Sequence, residues 1–265
     1  MVLRNSSLTV GMPALIEAPE LGPSLELAAE LGLDFVEINS NLPIYQAANI
    51  DLHHARQLLA ESKLFLTLHT EKFLPVSDLD ARVRRLYGEM LLEEIALAQA
   101  LEMPVINLHL INGVRYTLPN EKVYVYTVYR EQYLAAISEL RQVCAEAIGD
   151  SGLMLCIENL DGYIPVVQEG IEELLQAPCF GLTWDVGHDF CSNHADAGFW
   201  KKHAQRIRHM HLHDATGHRD HLSLGDGELD IAELAGFAAA NRCSCVVEVK
   251  TSSSLRESIE YLRRM

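Results

Sequence analysis

No Cys-x-x-Cys pair occurs in this chain of 265 residues, although it carries six cysteines: Cys144, Cys156, Cys179, Cys191, Cys243 and Cys245. That scatter argues against a zinc ribbon or a dithiol redox centre and for reduced, mostly buried thiols. No apolar run reaches the roughly 18 residues that a spanning helix needs. Residues 1–7 lack the long apolar segment of a secretory signal, so a soluble, cytoplasmic protein is expected. Basic charge is scarce: 21 Lys and Arg stand against 37 Asp and Glu, a net charge of −16. Nucleic-acid binders draw much of their affinity from neutralising phosphates, so this balance speaks against such a partner. The two short basic clusters, Arg82-Arg84-Arg85 and Lys201 through Arg208, read as solvated helix faces. No linker, low-complexity stretch or charge block divides the chain, and residues 1–265 are expected to form one domain.

What the chain does have is alternation. Short β-branched runs near 7–13, 34–39, 64–69, 104–110, 153–159, 180–186, 207–213 and 244–250 read as strands. Helical patterns fill the intervals near 22–31, 48–61, 79–101, 127–149, 165–176, 195–204, 229–240 and 252–264. Eight such units of about 30 residues predict an α/β fold, a single (β/α)8 TIM barrel. Asp78 is the expected cap of the third helix, Gly32 the stop of the first, and the glycine-rich loop 224–230 ends in a capping Asp230. The irregular segment 111–126 follows the fourth strand, as a lid over the barrel mouth or as a plain insertion.

The strand ends carry the chemistry. Leu-His-Thr, Leu-His-Leu, Ile-Glu-Asn, Trp-Asp-Val-Gly-His, His-Met-His-Leu-His-Asp and Val-Val-Glu-Val-Lys supply His69, His109, Glu158, Asp185, His188, His211 and Glu248. In a barrel the C-terminal ends of the strands meet around one pocket. Mixed carboxylate and imidazole donors suit Mn2+, Zn2+, Co2+ or Fe2+ better than Ca2+. Glu158, Asp185, His211 and Glu248 come from four consecutive strands and could surround one cation while leaving room for substrate. His209, His211 and His213 share a strand face; His211 is the expected ligand, His213 a substrate or supporting contact, and His209 structural. His53, His54, His194 and His203 fall on expected helices and read as surface or packing residues.

In their order, Ile-Glu-Asn, Asp-Val-Gly-His, His-Leu-His-Asp, the run from His221 to Asp230 and Val-Glu-Val resemble the xylose-isomerase-like superfamily of sugar isomerases and epimerases, which includes the endonuclease IV type of abasic-site nuclease. The resemblance covers about Leu64 to Glu248, and weaker segments such as Phe35-Val36-Glu37 extend it upstream. For the ketose 3-epimerase branch it implies one divalent metal on Glu158, Asp185, His211 and Glu248, with His188 touching substrate. That branch places a substrate-binding Arg six residues past the ligand His; here the position is Gly217, with Arg219 two residues on. The nuclease branch implies three zinc ions, on His69, His109 and Glu158; on Asp185, His211 and Glu248; and on His188 and His221. Its third site adds an Asp two residues before the last His, where this chain has Arg219, beside Asp220. The resemblance also allows a homo-oligomer.

A metal-dependent sugar isomerase or epimerase is therefore expected. The metal would bind a carbonyl and its neighbouring hydroxyl and stabilise an enediolate, while Glu158 and Glu248 remove and return the proton. His69, His109, His188, His213, Arg219 and His221 are the candidate substrate contacts, with Lys250 and Arg219 available to an anionic group. The alternatives are a multi-zinc metallohydrolase, a lyase or dehydratase on the same scaffold, and a sugar-binding protein with a decayed site.

Overall fold

The computed structural model describes residues 8–265. Strands β1 (Thr9–Pro13), β2 (Phe35–Asn39), β3 (Phe65–His69) and β4 (Val105–His109) come first. A hairpin of β5 (Arg115–Thr117) and β6 (Lys122–Tyr124) precedes β7 (Met154–Glu158), β8 (Phe180–Asp185) and β9 (Ile207–Leu212). A second hairpin, β10 (Asp214–Thr216) and β11 (Arg219–Leu222), precedes β12 (Ser244–Val247). β12 pairs in parallel with β1, and the eight long strands close into a TIM barrel. The helices are α1 (Leu21–Glu30), α2 (Leu52–Ser62), α3 (Ala81–Ala100), α4 (Val125–Val128), α5 (Arg130–Ile148), α6 (Pro165–Leu174), α7 (Val186–Cys191), α8 (Ala197–Lys202), α9 (Ile231–Asn241) and α10 (Ser252–Arg264).

Strand parity sets where chemistry and core lie. Val36, Ile38, Leu66, Leu68, Ile106, Leu108, Leu155 and Ile157 pack into the buried apolar cluster. The alternate positions, Glu37, Thr67, His69, Asn107, His109 and Glu158, point to the barrel interior and are polar although buried, where branched apolar side chains are usual. The apolar core therefore lies between sheet and helices, and a polar shaft runs to the mouth. No helix among the described residues is long and apolar enough to cross a membrane. All six cysteines are free, and burial pushes the Cys156 thiol up to about 12.

Several boundaries differ from the sequence reading, each for a local reason. The first strand begins at Thr9, and Ser7 of the expected span lies outside the described residues. Asp80, not Asp78, caps α3 by accepting from Arg82 N at 2.9 Å. Asp78 instead accepts from Asp80 N at 2.7 Å, a turn that delays the helix. The expected helix 195–204 shortens to α8, and the 127–149 helix breaks at Tyr129 between α4 and α5. His194 and His203 therefore flank α8 rather than lying in it, whereas exposed His53 and His54 do sit on α2. The Lys201–Arg208 cluster is not simply a solvated face: the Arg206 guanidinium donates to the carbonyls of Leu175 at 2.6 Å, Ala177 at 3.2 Å and Phe180. Segment 111–126 is not irregular but holds the β5–β6 hairpin, turned at Pro119-Asn120. Its root is tied to the loop after β7, because Asn112 donates to Gly162 O at 2.8 Å and accepts from Ile164 N at 3.0 Å. The caps Asp51 and Asp230 and the stop at Gly32, with φ +67°, follow ordinary helix chemistry.

Candidate functional site

Parallel pairing brings Glu158, Asp185, His211 and Glu248 to the same mouth from β7, β8, β9 and the residue after β12. One donor atom from each lies within 4.8 Å of the others. His211 Nδ1 is 3.1 Å from Glu158 Oε1, 3.0 Å from Glu248 Oε2 and 3.8 Å from Asp185 Oδ2. One imidazole nitrogen can carry one proton, so it cannot satisfy three carboxylates by hydrogen bonding. Glu248 Oε2 is buried without a hydrogen-bond partner. Three converging carboxylates and one nitrogen fit a divalent cation, which would offset the clustered charge.

Burial pushes the Glu158 carboxyl up, but His109 and His211 outweigh it and hold Glu158 well below the usual carboxylate range. Glu248 is likewise held low, chiefly by His211 against the push of burial. Burial lowers the His109 imidazole to about 4, so it is neutral near pH 7. Both carboxylates are thus ionised and able to accept protons.

The remaining residues form the surroundings. Glu158 Oε2 lies 3.3 Å from both His69 Nε2 and His109 Nε2 and accepts a hydrogen bond from Asn107 Nδ2. His188 Nδ1 is 3.3 Å from Asp185 Oδ2 and 3.7 Å from Glu158 Oε1. His213 Nε2 donates to Asp185 Oδ1 at 3.0 Å, while its Nδ1 accepts from His221 N at 2.8 Å. His213 and His221 thus stand behind Asp185, with their ring centroids 4.3 Å apart. Arg219 is exposed on β11 and is not gathered with the others. The epimerase-branch arginine position is Gly217, at φ +58° in the β10–β11 turn. Lys250 Nζ pairs with Glu248 Oε1 at 2.7 Å. Beside the cluster is a cavity of about 230 Å3 whose walls include Leu15, Asn39, Asn41, His69, Glu248 and Lys250.

Several functional supports escaped the sequence reading. Asn159 clamps the site: its Nδ2 donates to Asp185 O at 2.8 Å and its Oδ1 accepts from Asp185 N at 2.9 Å, which explains the Asn after Glu158. Asp214 accepts from Ala215 N, Gly225 N and Leu229 N, so the glycine-rich loop wraps a buried carboxylate. Gly227 is needed there because a Cβ would meet Asp214 Oδ1 at 2.3 Å. Glu37 stood in the sequence only as part of the weaker matching segment Phe35-Val36-Glu37, without a role; an acid interrupting the apolar run of a strand buried on both faces marks an inward partner.

Glu94 on α3 is a buried acid away from the cluster that also lacks a full set of partners: burial raises its carboxyl to about 7, and Oε2 has no hydrogen bond. Because its folded value lies above the unfolded one, stability is full below about 4.5 and falls as pH rises toward 7. Glu94→Gln should match wild type near pH 4.5 and exceed it by up to about 3 kcal/mol at pH 8. Urea unfolding at both pH values measures this; a difference independent of pH would count against it.

The sequence matches the family model described as xylose isomerase-like TIM barrel over residues 25–265. No curated protein sequence matches it. The crystal structure of a D-tagatose 3-epimerase-like protein is similar, with TM-score 0.77 and 23% identity, covering 97% of this chain and 96% of that one. A 3-keto-D-glucoside 4-epimerase from E. coli gives TM-score 0.75 at 17% identity over 97% and 100% of the two chains. A D-allulose 3-epimerase from Methylomonas sp., solved with D-allulose, gives TM-score 0.70 at 17% identity over 97% and 96%.

Proposed function

The chain belongs to the xylose isomerase-like TIM barrel family, and we propose that it is a divalent-metal-dependent isomerase or epimerase of a sugar or similar polyhydroxy carbonyl compound. The observation that carries this reading is the single nitrogen of His211 facing carboxylates from three other strand ends. Structural relatives named as a D-tagatose 3-epimerase-like protein, a D-allulose 3-epimerase and a 3-keto-D-glucoside 4-epimerase support the substrate class. Glu158, Asp185, His211 and Glu248 would hold Mn2+, Zn2+, Co2+ or Fe2+, which supplies Lewis acidity toward a carbonyl and its neighbouring hydroxyl.

Chain residues do the rest. Glu158 and Glu248 exchange protons with substrate carbon: each turns one oxygen toward His211 Nδ1, while Asn107 holds Glu158 Oε2 and Lys250 holds Glu248 Oε1. One takes the proton beside the carbonyl and the other returns one, on the opposite face or at the neighbouring carbon. His69, His109 and His188 line the approach and orient hydroxyls. His213 and His221 act on Asp185 from behind, and Lys250 keeps Glu248 Oε1 turned toward the cavity.

One observation favours a multi-zinc hydrolase: donor atoms of His188, His213 and His221 also lie within 4.8 Å of one another. Against it, both His213 nitrogens are engaged, and a net charge of −16 repels DNA. Metal-loaded protein incubated in D2O with D-tagatose and D-allulose tests the choice by proton NMR. Exchange at the carbon beside the carbonyl, with one ion per chain, supports isomerisation. Three ions with cleavage of abasic-site DNA, and no exchange, would replace it.

A further inference from the structure

Glu37 lies at the floor of the shaft, buried to 2% exposure on β2, far in sequence from the four mouth residues. Its Oε1 is 3.0 Å from His211 Nε2. Its Oε2 is 3.0 Å from His209 Nε2 and accepts from Thr67 Oγ1 at 3.1 Å, while His209 Nδ1 is 2.6 Å from Ser244 Oγ. The strand register supports this arrangement, because Glu37 pairs with Thr67 and His209 with Ser244 across neighbouring strands. We propose that Glu37 is a positioning residue that fixes the His211 ring so that Nδ1, and only Nδ1, offers a lone pair at the mouth. This rests on the reading of the mouth as a metal centre.

The argument is one of proton placement. A neutral imidazole has one N–H and one lone pair, and the hydrogen bond at one nitrogen decides which is which. An ionised carboxylate only accepts, and His211 faces one on each side, Glu158 Oε1 at 3.1 Å from Nδ1 and Glu37 Oε1 at 3.0 Å from Nε2; a cation at the mouth takes Nδ1, and Glu37 then receives the proton that stays at Nε2. The lone pair is then left at Nδ1, among Glu158, Asp185 and Glu248. A carboxylate behind a histidine also raises its strength as a ligand. Thr67 and His209 hold Glu37 Oε2, so Oε1 has a fixed direction. Glu37, His209 and His211 also bring donor atoms within 4.8 Å, as a deeper cation site would. Filling that site and the mouth together would require both His211 nitrogens to give lone pairs from a ring with no proton, so the proposal expects one ion per chain.

The test uses full-length wild type, Glu37→Gln and Thr67→Val. Co2+ affinity is read by competition with a chelator, and the melting temperature is read on metal-free protein. Wild type should bind one Co2+. Glu37→Gln should bind 10- to 100-fold more weakly, with no matching fall in metal-free melting temperature. Thr67→Val, which loosens Glu37 without touching His211, should weaken binding by a smaller factor. In 113Cd-loaded, 15N-histidine-labelled protein, the cadmium coupling should fall on His211 Nδ1. Wild-type affinity in Glu37→Gln, two ions per chain, or coupling at Nε2 would overturn the role of Glu37 alone. If Glu37→Gln does not fold, unchanged affinity in Thr67→Val overturns it equally. Wild-type protein that binds no Co2+ would instead overturn the proposed function, and this inference with it.

Discussion

Glu158→Gln and Glu248→Gln should each lower turnover by about 10²- to 10⁴-fold, the usual contribution of a placed proton-transfer group. The amide keeps the shape of each side chain, so packing is preserved. It removes a negative charge from a cluster that includes Asp185 and Glu37, which relieves repulsion in protein without metal. Circular dichroism and melting should therefore resemble wild type while product formation collapses. The two roles proposed for these residues can be separated. Asp185 is proposed as a ligand without a proton to move, so Asp185→Asn should regain part of its activity in excess metal. The two Glu variants should not, because added metal does not restore a base. Activity above a tenth of wild type in either Glu variant would remove the two-carboxylate mechanism and leave the geometry of the cluster to be explained otherwise.

How much of this could be read from the chain follows from what each residue depends on. Glu158, Asp185, His211 and Glu248 were legible because closure of a parallel barrel sends every strand end to one mouth, and the polar residue at a strand end needs no further information. The capping Asp230 and the stop at Gly32 were legible because they act within a few residues of themselves. Asp78 was misread because Asp80 competes for the same role two residues later, and only the turn geometry chooses between them. Helix α7 was hidden by economy: Asp185 ends β8 and, by accepting from His188 N at 2.7 Å, also starts the helix. Arg219 was grouped with the site because it stands two residues past the position where the resemblance places an arginine, yet the β10–β11 hairpin exposes it. Glu37 could not be placed at all without the barrel's closure, because its partners His209 and His211 lie more than 170 residues away in a strand that it does not pair with.

Gly187→Ala should be the most damaging single-methyl change near the mouth. Gly187 sits on α7 where an added Cβ would stand 2.0 Å from His213 Cε1 and 2.3 Å from its Nδ1. The ring cannot move aside freely: it is fully buried, donates to Asp185 through Nε2 and accepts from His221 N through Nδ1. Either α7 shifts, carrying His188 and the start of the helix at Asp185 with it, or His213 tilts and abandons Asp185. Both routes disturb one proposed metal ligand without altering its chemistry. Overpacking of this kind costs about 1–3 kcal/mol, and a displaced carboxylate should weaken Co2+ binding by about 10- to 100-fold, as loss of a ligand's supporting partner does. Gly236→Ala supplies the matched control, since Gly236 lies inside α9 with nothing within 4 Å of the added carbon. There the helix should gain about 0.5–1 kcal/mol from the better helix former, with metal affinity unchanged. Chelator competition and melting on both variants decide the matter. If Gly187→Ala binds metal like wild type, the chain from α7 through His213 to Asp185 is not what holds that carboxylate in place.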